Sequence, residues 1–131
     1  MNNRRSFIKT TALAGISMSL MPELSWAQTE NQQKLKVGLI GVGLRGTNHL
    51  ENLLLRKDVV VTAICDIDNA RTDLCLDFIS KAKGEKPKVF GKDDLDYKRL
   101  LDLKEVEAVV ISTPWLWHTR MAKDAMLAGK Y

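Results

Sequence analysis

Cysteine is scarce in these 131 residues: there are two, Cys65 and Cys75, and they form neither a CxxC pair nor a zinc-type cluster. That excludes a disulfide-built scaffold, and because both lie in apolar segments each is expected to be a buried free thiol. Also missing is any block of lysine and arginine. The formal net charge is +4, but Arg4, Arg5 and Lys9 crowd the first ten positions against one acid, Glu23, before residue 28, so the remainder is close to neutral. A surplus so weak and so spread gives no electrostatic footprint for nucleic acid. No apolar run reaches the roughly 20 residues that a membrane span takes, and no internal repeat or low-complexity tract occurs. No Ser-His-Asp set, metal cluster or pair of carboxylates in a plausible site can be read from the residues. No catalytic residue and no metal ligand is therefore assigned, and chemistry has to come from a bound cofactor and from residues beyond Tyr131. What the chain does have is 45% apolar side chains, enough for the core of one ordinary domain.

The amino end is organised like a targeting segment: a charged stretch with paired arginines, a mildly apolar run from Thr10 to Met21, and Ser25-Trp26-Ala27 as a small-x-small cleavage site. That run is too short to cross a bilayer. Arg4-Arg5-Ser6-Phe7-Ile8-Lys9 resembles the twin-arginine export signal, with Asn3 where Ser or Thr usually stands. An ordinary secretory signal or a membrane anchor is the alternative. Residues 1–27 are thus expected to be a signal peptide, residues 28–34 a polar linker, and residues 35–131 the front part of a folded domain. The destination is the periplasm or another exported location, reached through the twin-arginine machinery and without a stable membrane span. Passengers of that machinery cross already folded, which suits an enzyme that acquires its cofactor in the cytoplasm.

Beyond the linker the chain alternates between two patterns. Lys36 to Ile40 is a short apolar run rich in β-branched residues, as in a buried parallel strand, Val59 to Cys65 is a second, and Lys88 to Phe90 and Ala108 to Ser112 are expected as a third, short strand and a fourth. Helical spacing predicts helices over Gly46 to Arg56, with Leu50, Leu53 and Leu54 inward, and Asn69 to about Lys83, with Leu74, Phe78, Ile79 and Ala82 inward. Two more follow over Asp94 to Leu103, with Leu95, Leu100 and Leu101, and His118 to Ala128, with Met121, Ala125 and Met126. Asp68 is placed to cap the second helix and Gly84 to stop it, Pro114 closes the fourth strand, and Gly129 ends the last helix. Strands alternating with helices imply right-handed crossovers. The expected fold class is therefore α/β: a Rossmann-type doubly wound parallel sheet, incomplete, with four strands plus the start of a fifth at Lys130-Tyr131. A sheet stopped there leaves an unpaired edge, so the chain is expected to stop short of the full protein.

Gly41-Val42-Gly43-Leu44-Arg45-Gly46 is a GxGxxG element. Alone the pattern is weak; here it follows a strand and opens a helix, where one glycine makes the turn, one lets the backbone approach a pyrophosphate, and one lets helix and strand pack closely. The helix N-terminus then offers free N–H groups to phosphate. Asp66 ends the second strand, twenty residues after Gly46, where such folds place an acid that hydrogen-bonds a ribose hydroxyl and repels a 2′-phosphate. NAD is the expected cofactor on that account. The fourth strand runs into Ser112-Thr113-Pro114-Trp115-Leu116-Trp117-His118, a turn expected at the crevice, where aromatic faces can pack on a nicotinamide ribose and His118 can hydrogen-bond it. His49, inside the first helix, is expected to be a surface or packing residue, and Asp68 a helix cap.

Gly41 to Gly46, Cys65-Asp66, Ser112-Thr113-Pro114, His118 and Ala128-Gly129-Lys130 resemble the Gfo/Idh/MocA family of NAD(P)-dependent oxidoreductases, over about residues 34 to 131. That resemblance implies an N-terminal Rossmann domain joined to a C-terminal α/β substrate domain that is absent from this chain. Gly43-Leu44-Arg45-Gly46 and Pro114-Trp115-Leu116-Trp117-His118 look more narrowly like glycoside hydrolase family 109, the NAD-dependent α-N-acetylgalactosaminidases; ordinary dehydrogenases of the superfamily usually have Asn after the proline. Leu116 stands where some relatives have Glu. The narrower resemblance implies that NAD is not consumed: transient oxidation at the sugar's C3 acidifies the C2 proton, the glycosidic group is eliminated, and water addition and re-reduction complete hydrolysis. It implies cofactor contacts at Leu44, Arg45, Asp66 and Trp115, Leu116, Trp117 and His118, a small-molecule or glycan substrate with terminal N-acetylgalactosamine, and sugar-binding and acid/base residues later in the protein. Members commonly carry a twin-arginine signal. A plain NAD-dependent sugar dehydrogenase and a non-catalytic NAD-binding module remain as alternatives, homo-oligomer formation is left open, and the fragment alone is expected to be inactive.

Overall fold

The structure, a computed structural model, describes residues 33–131; the expected signal peptide and residues 28–32 of the expected linker lie outside the described residues. Four strands, β1 (Leu35–Ile40), β2 (Val59–Cys65), β3 (Lys88–Phe90) and β4 (Ala108–Ile111), alternate with four helices, α1 (Leu44–Leu54), α2 (Asn69–Lys81), α3 (Tyr97–Leu101) and α4 (Trp115–Leu127). All strand pairs are parallel and the spatial order is β3-β2-β1-β4. The chain thus winds outward from β1 to β3 and then returns to the far side of β1. The reversal puts a crevice at the carboxyl ends of β1 and β4, the position at which open α/β sheets bind ligands. Beyond α4, Tyr131 donates its N–H to the Glu107 carbonyl at 3.0 Å and accepts from the Val109 N–H at 2.7 Å. That is parallel pairing on the outer edge of β4, where the fifth strand was expected to begin.

Helices cover both faces of the sheet, and the sheet residues sort accordingly. Val37, Leu39, Val61 and Ile64 pack with Leu50 of α1 and with Cys75 and Ile79 of α2, whereas Ile40, Ala63 and Cys65 pack with α3 and with Met121 and Ala125 of α4. Strict alternation along β2 would put Val61, Ala63 and Cys65 on one face. The ladder avoids this by a bulge: Val37 pairs with Val61 but Gly38 pairs with Ala63, so Thr62 is an extra residue that turns the rest of the strand over. Gly38 in turn lets α3 come close, since a Cβ there would lie 2.7 Å from Leu100 Cδ2.

Several boundaries differ from expectation. Helix α1 starts at Leu44 rather than Gly46, with Gly43 as its cap, and α4 starts at Trp115 rather than His118 because Pro114 takes the cap position and its carbonyl accepts from the Trp117 N–H at 2.9 Å. Helix α3 is shorter than expected, since the carboxylates of Asp93 and Asp96 bond to local backbone: Asp93 accepts from Leu95 N at 2.9 Å, and Asp96 from Gly91 N at 2.7 Å and Lys92 N at 2.9 Å. Such bonds offer the backbone an alternative to the helix. Asp68 does cap α2, accepting from Ala70 N at 2.9 Å. At the other end of α2 the left-handed residue is Lys83 (φ 56°), not Gly84; Gly84 and Lys83 donate to the Ile79 and Ser80 carbonyls in a Schellman arrangement. Leu74, Leu95 and Met126, expected inward, are exposed, while Tyr97 is buried. Cys65 and Cys75 are buried free thiols and His49 is exposed, as expected.

Candidate functional site

The three glycines after β1 have three different reasons to be glycine. Gly41 has φ +84°, and a Cβ there would sit 2.8 Å from both the Ser112 carbonyl carbon and Thr113 Cγ2. Gly46 faces the Gly41 carbonyl oxygen so closely that a Cβ would overlap it, which is how α1 lies down on the end of β1. Gly43 has no atom within 4 Å of its would-be Cβ, so nothing inside the protein demands glycine there; the open space lies on the ligand side of the turn. No side chain caps α1 and no acid stands in its first turn, leaving its N–H groups and the positive end of its dipole to a ligand anion. The turn is held by the bonds Gly41 N to Cys65 O and Ser112 N to Ile40 O, both 2.8 Å, which tie the carboxyl ends of β1, β2 and β4 together.

Asp66 follows β2 and its carboxylate stands beside the glycine turn, accepting from Val42 N at 2.7 Å through Oδ2 and from Asp68 N at 2.9 Å through Oδ1. Each oxygen keeps a second lone pair for a hydroxyl. The turn and Asp66 border a cleft of about 450 Å³, within the usual range for a small-molecule site. Gly41, Gly43, Arg45, Asp66 and Trp117 line it. Gly46 lies beneath the turn, and the expected contacts Leu44, Trp115, Leu116 and His118 are outside the lining and exposed. The Trp-Leu-Trp-His segment was expected as a strand-end turn; as the first turn of a helix it points successive side chains about 100° apart, so Trp117 packs inward while Trp115 is 93% exposed.

Sequence reasoning missed other lining residues: Ile67, Asp93 and Asp94, Tyr97 and Met121. Asp93 and Asp94 follow Gly91, and a glycine before two acids was the available sign of a loop; Tyr97 gave none, because its burial depends on α4. Its hydroxyl donates to Asp124 Oδ2 at 2.6 Å. Burial first, and then the Asp124 bond, raise the Tyr97 pKa, so the phenol stays neutral. At the floor, burial pushes the Cys65 thiol up to about 12, with Asp96, Asp66 and Asp93 adding to the effect, so it is no nucleophile at neutral pH. Among the described residues no group of His, Cys, Asp and Glu could hold a metal ion, and no helix is long and apolar enough to cross a membrane. A dinucleotide fits this donor set: an uncapped helix end and an open glycine for the diphosphate, a fixed carboxylate for the ribose, and an apolar wall beyond.

Comparison with known proteins agrees with that geometry. The profile of an oxidoreductase family with an NAD-binding Rossmann fold, Gfo/Idh/MocA, matches residues 35–131. The chain is 40% identical over 129 residues to a glycosyl hydrolase family 109 protein of Stenotrophomonas maltophilia, covering 96% of this chain and 28% of that protein. It is 43% identical over 97 residues to an alpha-N-acetylgalactosaminidase of Shewanella oneidensis, covering 74% of this chain and 21% of that protein. The chain therefore spans less than a third of the length of these relatives. The fold is also that of a Lactobacillus casei myo-inositol dehydrogenase solved with NAD(H) and myo-inositol, at TM-score 0.64 and 24% identity, covering 76% of this chain and 27% of that one.

Proposed function

Because the chain belongs to the Gfo/Idh/MocA oxidoreductase family and carries its NAD-binding Rossmann fold, we propose that the whole protein is an NAD-dependent glycosidase that removes terminal α-N-acetylgalactosamine. The observation that carries this is the union of an NAD-type cleft with the segment Pro114-Trp115-Leu116-Trp117-His118, in a chain 40% and 43% identical to the two glycosidase-named relatives. Bound NAD supplies a hydride acceptor that returns its hydride to the same sugar, so that hydrolysis proceeds with no net redox change. The residues of this chain bind and orient. Gly41, Gly43 and Gly46 shape the diphosphate seat, with Leu44 and Arg45 at the first turn of α1. Asp66 takes the adenosine ribose, and its charge, with Asp93 and Asp94 on the same cleft, opposes the 2′-phosphate of NADP. Trp117 serves the nicotinamide end, where with Tyr97 and Met121 it forms a wall that excludes water, while Trp115, Leu116 and His118 stand exposed at the rim of the same helix turn. The sugar pocket and the acid and base belong to residues outside this chain.

The test is release of aryl alcohol from an aryl α-N-acetylgalactosaminide by the full-length protein, with and without added NAD, while reduced nicotinamide is followed by absorbance. Hydrolysis without net NADH is expected. Net NADH from a free sugar would instead identify a sugar dehydrogenase, and cofactor binding with neither activity a non-catalytic module. We propose export through the twin-arginine machinery on the strength of Arg4-Arg5 and Ser25-Trp26-Ala27; Arg4→Lys with Arg5→Lys should retain the protein in the cytoplasm on fractionation.

A further inference from the structure

Two aromatic residues line the cleft from its helical side, Tyr97 of α3 and Trp117 of α4. Each is held by a charged residue that does not itself line the cleft. Trp117, Arg120 and Asp124 follow at i, i+3 and i+7, one stripe along α4. The Arg120 guanidinium lies 5.5 Å from the Trp117 ring centroid, within cation–π range. Asp124 accepts the Tyr97 hydroxyl at 2.6 Å and pairs with Lys98 at 3.7 Å, and its carboxylate is held below the usual range chiefly by the Tyr97 bond, with Lys98 and Arg120 adding their charges. Arg120 is exposed and belongs to none of the described salt bridges; it lies against the Trp117 ring and close enough to Tyr97 and Asp124 to lower the pKa of both. Trp117 is only half-buried, and its ring would have freedom to leave the wall without that cover.

Resting on NAD as the occupant of the cleft, we infer that Arg120 is a positioning residue for the cofactor: it acts from outside by clamping the Trp117 ring in place as the wall of the site. The clamp is bracketed by the Tyr97–Asp124 bond, which fixes α3 against α4 so that both aromatic rings face the same space. A planar guanidinium stacks where an ammonium does so less well, so lysine should replace it only in part.

The experiment is a double-mutant cycle on the full-length protein, with NAD affinity and melting temperature measured for wild type, Arg120→Ala, Trp117→Ala and the double variant, and Arg120→Lys added as the conservative change. Arg120→Ala should weaken NAD binding about two- to fivefold, the range expected of an exposed cation–π contact. It should leave the melting temperature within about 2 °C, as for most surface changes. In the Trp117→Ala background the same change should have no effect on affinity, and Arg120→Lys should fall between wild type and alanine. Equal effects of Arg120→Ala in both backgrounds, or affinity loss that tracks a fall in melting temperature, would overturn the inference by showing a general structural or charge effect. If the wild type binds no NAD, it is the assignment of the cleft that fails, and this inference with it.

Discussion

Gly43 and Gly46 are three residues apart in one turn, yet replacing each by alanine should have opposite consequences. At Gly46 the added methyl would fall on the Gly41 carbonyl oxygen, backbone against backbone, so α1 has to lift from the sheet. Overpacking of this kind costs about 1–3 kcal/mol, and the upper end applies where no flexible side chain can yield. In a domain of this size that is a fall in Tm of about 10 °C or more. At Gly43 the methyl meets nothing within 4 Å, and φ −64° with ψ −161° is open to alanine. Loss of a glycine cap costs a fraction of a kcal/mol and the stiffer unfolded chain returns about as much, for a net change within ~1 kcal/mol. The same methyl, however, occupies the space through which a diphosphate approaches. Gly43→Ala should therefore fold normally while losing at least about tenfold in NAD affinity, or ~1.4 kcal/mol. Urea denaturation followed by circular dichroism, with calorimetric titration of NAD into the full-length protein, separates the two quantities. Normal NAD affinity in Gly43→Ala, or an unchanged urea midpoint in Gly46→Ala, would refute the assignment of roles within the turn.

Three further outcomes follow from the geometry. Lys83→Gly should stabilise the fold by about 1 kcal/mol, because Lys83 ends α2 at φ 56°, a left-handed conformation that is strained for lysine and free for glycine; a lower urea midpoint would contradict this. Tyr97→Phe should cost about 1 kcal/mol for the lost bond to Asp124 and loosen α3 from α4, seen as faster amide exchange in both helices, whereas unchanged exchange would show that packing alone holds them. The Cys65 thiol keeps its proton up to about 12 in the folded protein against an ordinary value of 9.0, so above about pH 9 the unfolded state holds fewer protons and stability falls as pH rises toward 12. Cys65→Ala should flatten that part of the pH–stability curve, and an equal slope in both proteins would count against a protonated, buried thiol.

Much of this molecule could be read along the chain because its strands and its glycine turn depend on neighbours in sequence. Val59–Cys65 was found at its observed limits, since a strand buried on both faces needs a continuous apolar run; Lys88–Phe90 was also found at its limits, although it is an edge strand with Lys88 and Val89 exposed. The spacing of Gly41, Gly43 and Gly46, with Asp66 beyond, marked the candidate cleft before any fold was known. Other features arose only from distant residues. The bulge at Thr62 exists because the two faces of β2 must meet different helices, and no local pattern records which face each residue serves. Asp93 and Asp96 hold the expected helix start as a loop by accepting from the Leu95 N–H and from the Gly91 and Lys92 N–H groups ahead of it. Trp117 differs from Trp115 only because α4 begins at Trp115 and is rotated so that one ring meets the core and the other meets water. Periodicity can identify a helix, but its exact start and the angle at which it lies on the sheet are set by packing across the chain, and those two quantities decide which side chains enter the site.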